Sequence, residues 1–237
     1  MKIALNLRNS AALVALSFIM QETHELAHTS VGRLICGDWG QRDFNVWGIS
    51  SQCVNDEPLT LLATFAGPVY TFSIIWLGYF LLTRAAAGTK SIGFALVVSS
   101  MPFSRILSPL LGGGDEIYGL TRLGVDHSLA WGAALAAVFA LAAPPVVKIY
   151  TTINNRRKPL WIIGLLLAPF FLVGIVVFAV LQGLILKNGI LNDYWILGSP
   201  MLVTFWLFFC LGLFAIFAKH LVTLLQPSGN TPQTGGG

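Results

Sequence analysis

Charge is what this sequence has least of: 10% of its 237 residues are Asp, Glu, Lys or Arg, against 55% hydrophobic residues and a mean hydropathy of +0.75. That balance argues against one or two water-soluble domains and for lipid as the main solvent. An internal repeat is missing too, which sets the chain apart from transporters built of repeated halves with broken helices. No small-residue cleavage site follows the first apolar run before the polar residues around His24, so the first helix is expected to stay rather than be removed as a signal peptide. Cysteine is sparse. Cys210 falls in an apolar stretch and reads as a small apolar residue, whereas Cys36 and Cys53 flank or lie in one polar segment, where an oxidising compartment would permit a bridge.

What is present are apolar stretches near 9–35, 58–82, 91–111, 128–150, 159–186 and 194–224. Each is long enough for a hydrocarbon core of about 30 Å, which takes roughly 20 helical residues, and a lipid-exposed backbone must satisfy its own hydrogen bonds. The expected fold is therefore an all-α polytopic membrane protein with about six transmembrane helices in one membrane-embedded domain over residues 1–225. Between the first two helices, Trp39, Phe44, Val46, Trp47 and Ile49 alternate weakly, which predicts a short interfacial hairpin or re-entrant segment. Residues 226–237 are polar and rich in Pro and Gly, so a disordered tail is expected.

Nine of the fourteen Lys and Arg residues (Lys2, Arg8, Arg84, Lys90, Lys148, Arg156, Arg157, Lys158 and Lys219) fall on the side of the termini. Arg33, Arg42, Arg122 and Lys187 fall on the other, and Arg105 lies inside a span. The bias predicts cytoplasmic termini. A pI near 9.1 then reflects membrane topology, and no nucleic-acid partner is inferred.

The chemistry is concentrated in Gln21-Glu22-Thr23-His24-Glu25-Leu26-Ala27-His28. On a helix with 3.6 residues per turn, imidazoles four apart project from nearly one face and can share a metal ion. Glu25 is placed as general base toward a water that the metal activates. With 4 His and 10 acids in the chain, the pattern arises by chance in roughly three sequences per thousand, and ionisable residues inside a span are costly enough to be functional candidates.

Two imidazoles leave a catalytic zinc short of a third protein ligand. His24 lies about 22 Å along the first helix, in the outer half of the bilayer, and the third helix also runs outward. It ends in Pro109-Leu110-Leu111-Gly112-Gly113-Gly114-Asp115-Glu116, so Asp115 is the expected third ligand and Glu116 the alternative. The three glycines allow close backbone approach and an irregular segment lining a polar cavity.

Three features together resemble the catalytic core of the site-2 protease family of intramembrane zinc metalloproteases: His24-Glu25-x-x-His28 in the first helix, Gly67-Pro68 in the second, and an acid after a proline at the end of the third. The likeness covers about residues 9–120, leaving the segment 128–224 without a matching motif. It implies zinc held by His24, His28 and Asp115, Glu25 as catalytic base, and a membrane-spanning or membrane-adjacent polypeptide as substrate. Val69-Tyr70 and the Gly-Gly-Gly-Asp-Glu ending depart from the family pattern, and no PDZ-like domain is inserted. The charge bias puts the site nearer the outward face, whereas the better-known bacterial members open toward the cytoplasm.

Gly67, Pro68, Gly112, Gly113 and Gly114 are read as substrate-binding positions, whose unpaired backbone groups would hold an extended chain as an added strand. Other residues have simpler readings. His127, after Asp126 at a helix start, reads as a solvated interface residue, and His220 as an anchor beside Lys219. Arg105 either supports the site from its inner side or snorkels to the interface. A membrane zinc hydrolase acting on a lipid or small amide, and a non-catalytic membrane binding protein, are the competing functional classes.

Overall fold

A computed structural model describes residues 1–51, 53 and 59–227. Helix α1 (Leu7–Cys36) is opened by the Asn6 side chain, which accepts from the Asn9 amide, and closed by Gly37 in the left-handed region. There follow α2 (Thr60–Leu82), α3 (Ala87–Ser99), α4 (Pro102–Leu110), α5 (Asp115–Arg122), α6 (His127–Thr152), α7 (Lys158–Leu172) and α8 (Met201–Phe217). A π-helical stretch, Val173–Ile185, continues α7 without a break.

Among the described residues, five helical stretches are long and apolar enough to cross a membrane: Thr60–Leu82, Ala87–Leu110, His127–Thr152, Lys158–Asn188 and Met201–Thr223. Large apolar side chains on them stay exposed, including Phe80, Leu129, Ile175, Phe208 and Ile216, as lipid-facing surfaces require. Of the six expected spans, α1 is the one outside this set. Its 30 residues would reach about 45 Å, but Gln21, Glu22, His24, Glu25 and His28 interrupt its apolar run, and all five are buried inside the protein.

Two expected boundaries are corrected. The span placed at 91–111 is two helices, broken at Met101, whose φ of 49° lies in the left-handed region. Pro102 causes the break: its ring disfavours helical geometry at the preceding residue, and it brings no N–H to the ladder. The last span, placed from 194, begins at Met201; the preceding stretch turns through Leu197 (φ 58°) and Gly198 before Pro200 caps the helix.

The termini meet. Lys2–Ile3 (β1) pairs antiparallel with Leu225–Gln226 (β2), so Gln226 is an ordered strand residue and not the start of a tail; the rest of the expected tail, from 228, lies outside the described residues. The Met1 amino group donates to the Thr152 carbonyl, the Ile3 amide donates to Asn155 Oδ1, and Ser91 bonds both backbone groups of Leu225. The α6–α7 connection with Arg156 and Arg157 and the start of α3 beside Lys90 therefore gather at the end of the bundle that holds β1 and β2. At the other end, the segment after α1 folds back over the bundle. It turns between Arg42 and Trp47, which form an antiparallel bridge, so the expected hairpin is present as one tight turn. A Cys36–Cys53 disulfide ties it to α1, and the Arg42 amide donates to the Gly198 carbonyl.

Candidate metal centre

His24 and His28 stand one turn apart on the buried face of α1, and α5 brings Asp115 opposite them. Nε2 of His24 and Nε2 of His28 are 3.3 Å apart, and each lies 3.5 Å from Oδ2 of Asp115. A tetrahedral divalent ion with ligands at about 2.0–2.1 Å separates them by about 3.3–3.4 Å, so the three donors fit one such ion. The orientation of the rings agrees. Nδ1 of His28 lies 2.7 Å from the Ala63 carbonyl, which can only accept, so Nδ1 carries the proton and Nε2 presents its lone pair. Nδ1 of His24 lies 2.8 Å from the Thr71 hydroxyl. The lone pair of His28 Nε2 thus faces both His24 Nε2 and Oδ2 of Asp115, the convergence that a shared cation would use.

Helix α2 shapes the floor of this centre. A Cβ built on Gly67 would lie 2.6 Å from Cε1 of His28 and 2.7 Å from Cε1 of His24, and closer still to Nε2 of His28. Only glycine lets the α2 backbone approach the ligand rings. Gly67 thus reaches the site as support for the ligands. Pro68, next in α2, has no N–H with which to satisfy the Thr64 carbonyl one turn earlier, and Thr64 lines the cavity described below.

Asp115 owes its position to a short, separate helix, not to the end of the third span. Gly112 (φ 81°) and Gly114 (φ 106°) end α4 and reverse the chain, so that Asp115 opens α5 with its carboxylate at the helix N-terminus. On α5, Gly119 fits beneath the Phe65 ring of α2. The Gly112 and Gly113 amides donate to the carbonyls of Pro109 and Ser108. This corrects part of the expected substrate-strand role: those two amides are used in the turn, so they are not free donors for an incoming chain. Glu116, the alternative ligand, points away into an apolar groove bounded by Pro68, Phe72 and Val138, and His127 is exposed at the start of α6.

Glu25 is buried beside the centre, with Oε1 3.5 Å from Nε2 of Gln21. A second charged residue is there as well. Nη1 of Arg105, from α4, lies 3.3 Å from Nε2 of His24 and 3.8 Å from Oδ2 of Asp115. Of its two sequence readings, the supporting one holds. An arginine within an apolar span was the available signal, but its direction depends on the break at Met101.

The folded-back segment forms a roof. Trp47 stacks on His28 with ring centroids 4.5 Å apart and planes 5° from parallel. Arg42 reaches down to Glu22 on α1, Nη1 to Oε2 3.1 Å, with both side chains almost fully buried. Neither Trp47 nor this pair was legible as part of the site, because no local spacing relates them to the histidines. Between roof, α2 and α5 lies a cavity of about 690 Å³ that reaches Asp115, lined by Trp47, Ile49, Thr60, Thr64, Tyr118 and Arg122 among others. A second cavity, of about 10 Å³, lies beside His24 and is lined by Gln21, Thr71, Ser104 and Arg105 among others. No family model, curated protein or solved structure matches the chain.

Proposed function

We propose that this chain is an intramembrane zinc metalloprotease of the site-2 protease type, cutting membrane-spanning or membrane-adjacent polypeptides. The observation that carries the reading is the His24–His28–Asp115 triangle with Glu25 beside it, four residues in the pattern of a metallopeptidase centre. When bound, zinc supplies Lewis acidity that makes water a stronger acid and a carbonyl a better electrophile. Glu25 takes a proton from the attacking water, whose oxygen adds to the peptide carbonyl carbon. The same carboxyl returns the proton to the amide nitrogen as the C–N bond breaks, leaving a carboxylic acid and an amine.

A helical peptide hides its carbonyls in its own hydrogen bonds, so the substrate must arrive extended. The 690 Å³ cavity offers room for such a segment. Zinc here is preferred to magnesium or calcium because two imidazoles and one carboxylate are a nitrogen-rich donor set. The Lys and Arg bias puts the termini in the cytoplasm and the roofed end of the site toward the outside.

The test is metal and turnover in one experiment. Protein purified without chelator should hold close to one zinc per chain and cleave a member of a panel of single-span polypeptides. Glu25→Gln should keep the zinc and lose turnover by about 10²-fold to 10⁴-fold, since it removes the base and no ligand. A zinc-free wild type, or a Glu25→Gln variant that still cleaves, refutes the reading.

A further inference from the structure

Arg105 is an unusual neighbour for a metal ion, since two cations repel at such distances. Among the described residues, the one hydrogen bond of its guanidinium is to Nε2 of His24. That acceptor is the lone pair a metal would use, and it cannot serve both. The nearest carboxylate oxygen, Oδ2 of Asp115, is 3.8 Å away, beyond hydrogen-bond length, and belongs to another ligand. With a metal in place, Nη1 of Arg105 therefore needs a new acceptor within reach of His24.

The space for one exists. The cavity of about 10 Å³ beside His24 has Arg105, Gln21, Thr71 and Ser104 in its wall, with Met20 and Met101 as its apolar part, around a volume close to that of one water. Gln21 is also the residue that contacts Glu25, so the cavity wall holds one candidate ligand, His24, and a neighbour of the base. The break at Met101 matters here: α4 leaves α3 in a new direction and presents Arg105 to the site.

We propose that Arg105 is a carbonyl-binding catalytic residue, whose guanidinium donates to the scissile carbonyl oxygen beside His24 as that oxygen becomes an oxyanion. The inference rests on the protease reading above. A guanidinium suits the task because it stays charged and offers several donors in a fixed plane. It would stabilise charge that appears only in the transition state, so its removal should lower kcat and leave KM almost unchanged.

Cobalt(II)-loaded full-length protein gives a readout independent of cleavage. Inorganic phosphate, an oxyanion probe, should perturb the visible cobalt spectrum of the wild type. In Arg105→Gln, cobalt should bind with unchanged stoichiometry and equal or higher affinity, since a neighbouring cation has gone. Phosphate affinity should fall at least about 10-fold, the loss expected for a charge-assisted hydrogen bond, with Arg105→Lys intermediate. On a cleavable substrate, Arg105→Gln should lose about 10²-fold to 10³-fold in kcat. The proposal is overturned if phosphate leaves the wild-type spectrum unmoved, if it binds Arg105→Gln as tightly as wild type, or if Arg105→Gln cannot hold cobalt, which would make Arg105 structural. A wild type that takes up no cobalt defeats the metal centre itself, and Arg105 with it.

Discussion

Helices α1 and α8 pack together in the bundle and use opposite solutions to the same surroundings. α8 buries little beyond Leu202, Val203, Thr204 and Cys210 and turns Phe205, Phe208, Phe209 and Ile216 outward. α1 buries Asn9, Gln21, Glu22, His24, Glu25 and His28, and among the described residues α1 is the long helix that fails to read as an apolar span. The difference teaches that hydropathy reports what a helix shows to lipid, whereas the candidate metal donors are among what it hides. Polar groups on α1 are tolerable because they are partnered: Glu22 meets Arg42 of the roof, His24 and His28 meet α2 and Asp115, Gln21 and Glu25 contact each other, and Asn9 bonds the Ala4 carbonyl and the Thr223 hydroxyl.

The contrast can be broken most severely at the centre. Asp115→Ala should lower metal affinity by more than about 100-fold, exceeding the loss typical of a residue that only orients a ligand, and should abolish cleavage. Glu116→Ala, one residue on, should leave bound metal unchanged, and the reverse outcome in a metal titration would move the ligand by one position. Next comes the roof. Glu22→Ala strands the buried Arg42 charge and should cost about 3–5 kcal/mol in a reversible unfolding assay, while the double change Glu22→Met, Arg42→Met should recover most of it. A smaller effect is expected at Thr71, where Thr71→Val removes the partner of His24 Nδ1 and should weaken metal binding by about 10-fold to 100-fold. The comparison is sharpened on α8: Phe208→Leu, facing lipid, should shift stability by no more than about 0.5 kcal/mol and leave metal content alone.

Much of this protein was readable in order of chain. The apolar stretches gave the helices because span length and hydropathy are local properties, and His24, Glu25 and His28 could be grouped because helix periodicity relates them within one element. Reading failed where a proline acts on a neighbour's backbone: Ser100-Met101-Pro102 looks apolar enough to continue, yet it splits the third span. It failed again at Gly112–Gly114, where loose backbone was anticipated and a hydrogen-bonded turn was formed.

The sequence by itself determined the solvent, the helices and two of the three candidate metal donors, since these depend on composition and on spacings of a few residues. Only the tertiary structure decided that Asp115 and not Glu116 faces the imidazoles, that Gly67 makes room for them, that Trp47 covers them and that Arg105 turns toward them. Each of those contacts joins residues from different elements, and the directions are set by helix packing and by one broken span. No periodicity along the chain encodes them, because side chains meet across elements through the packed geometry of the whole bundle.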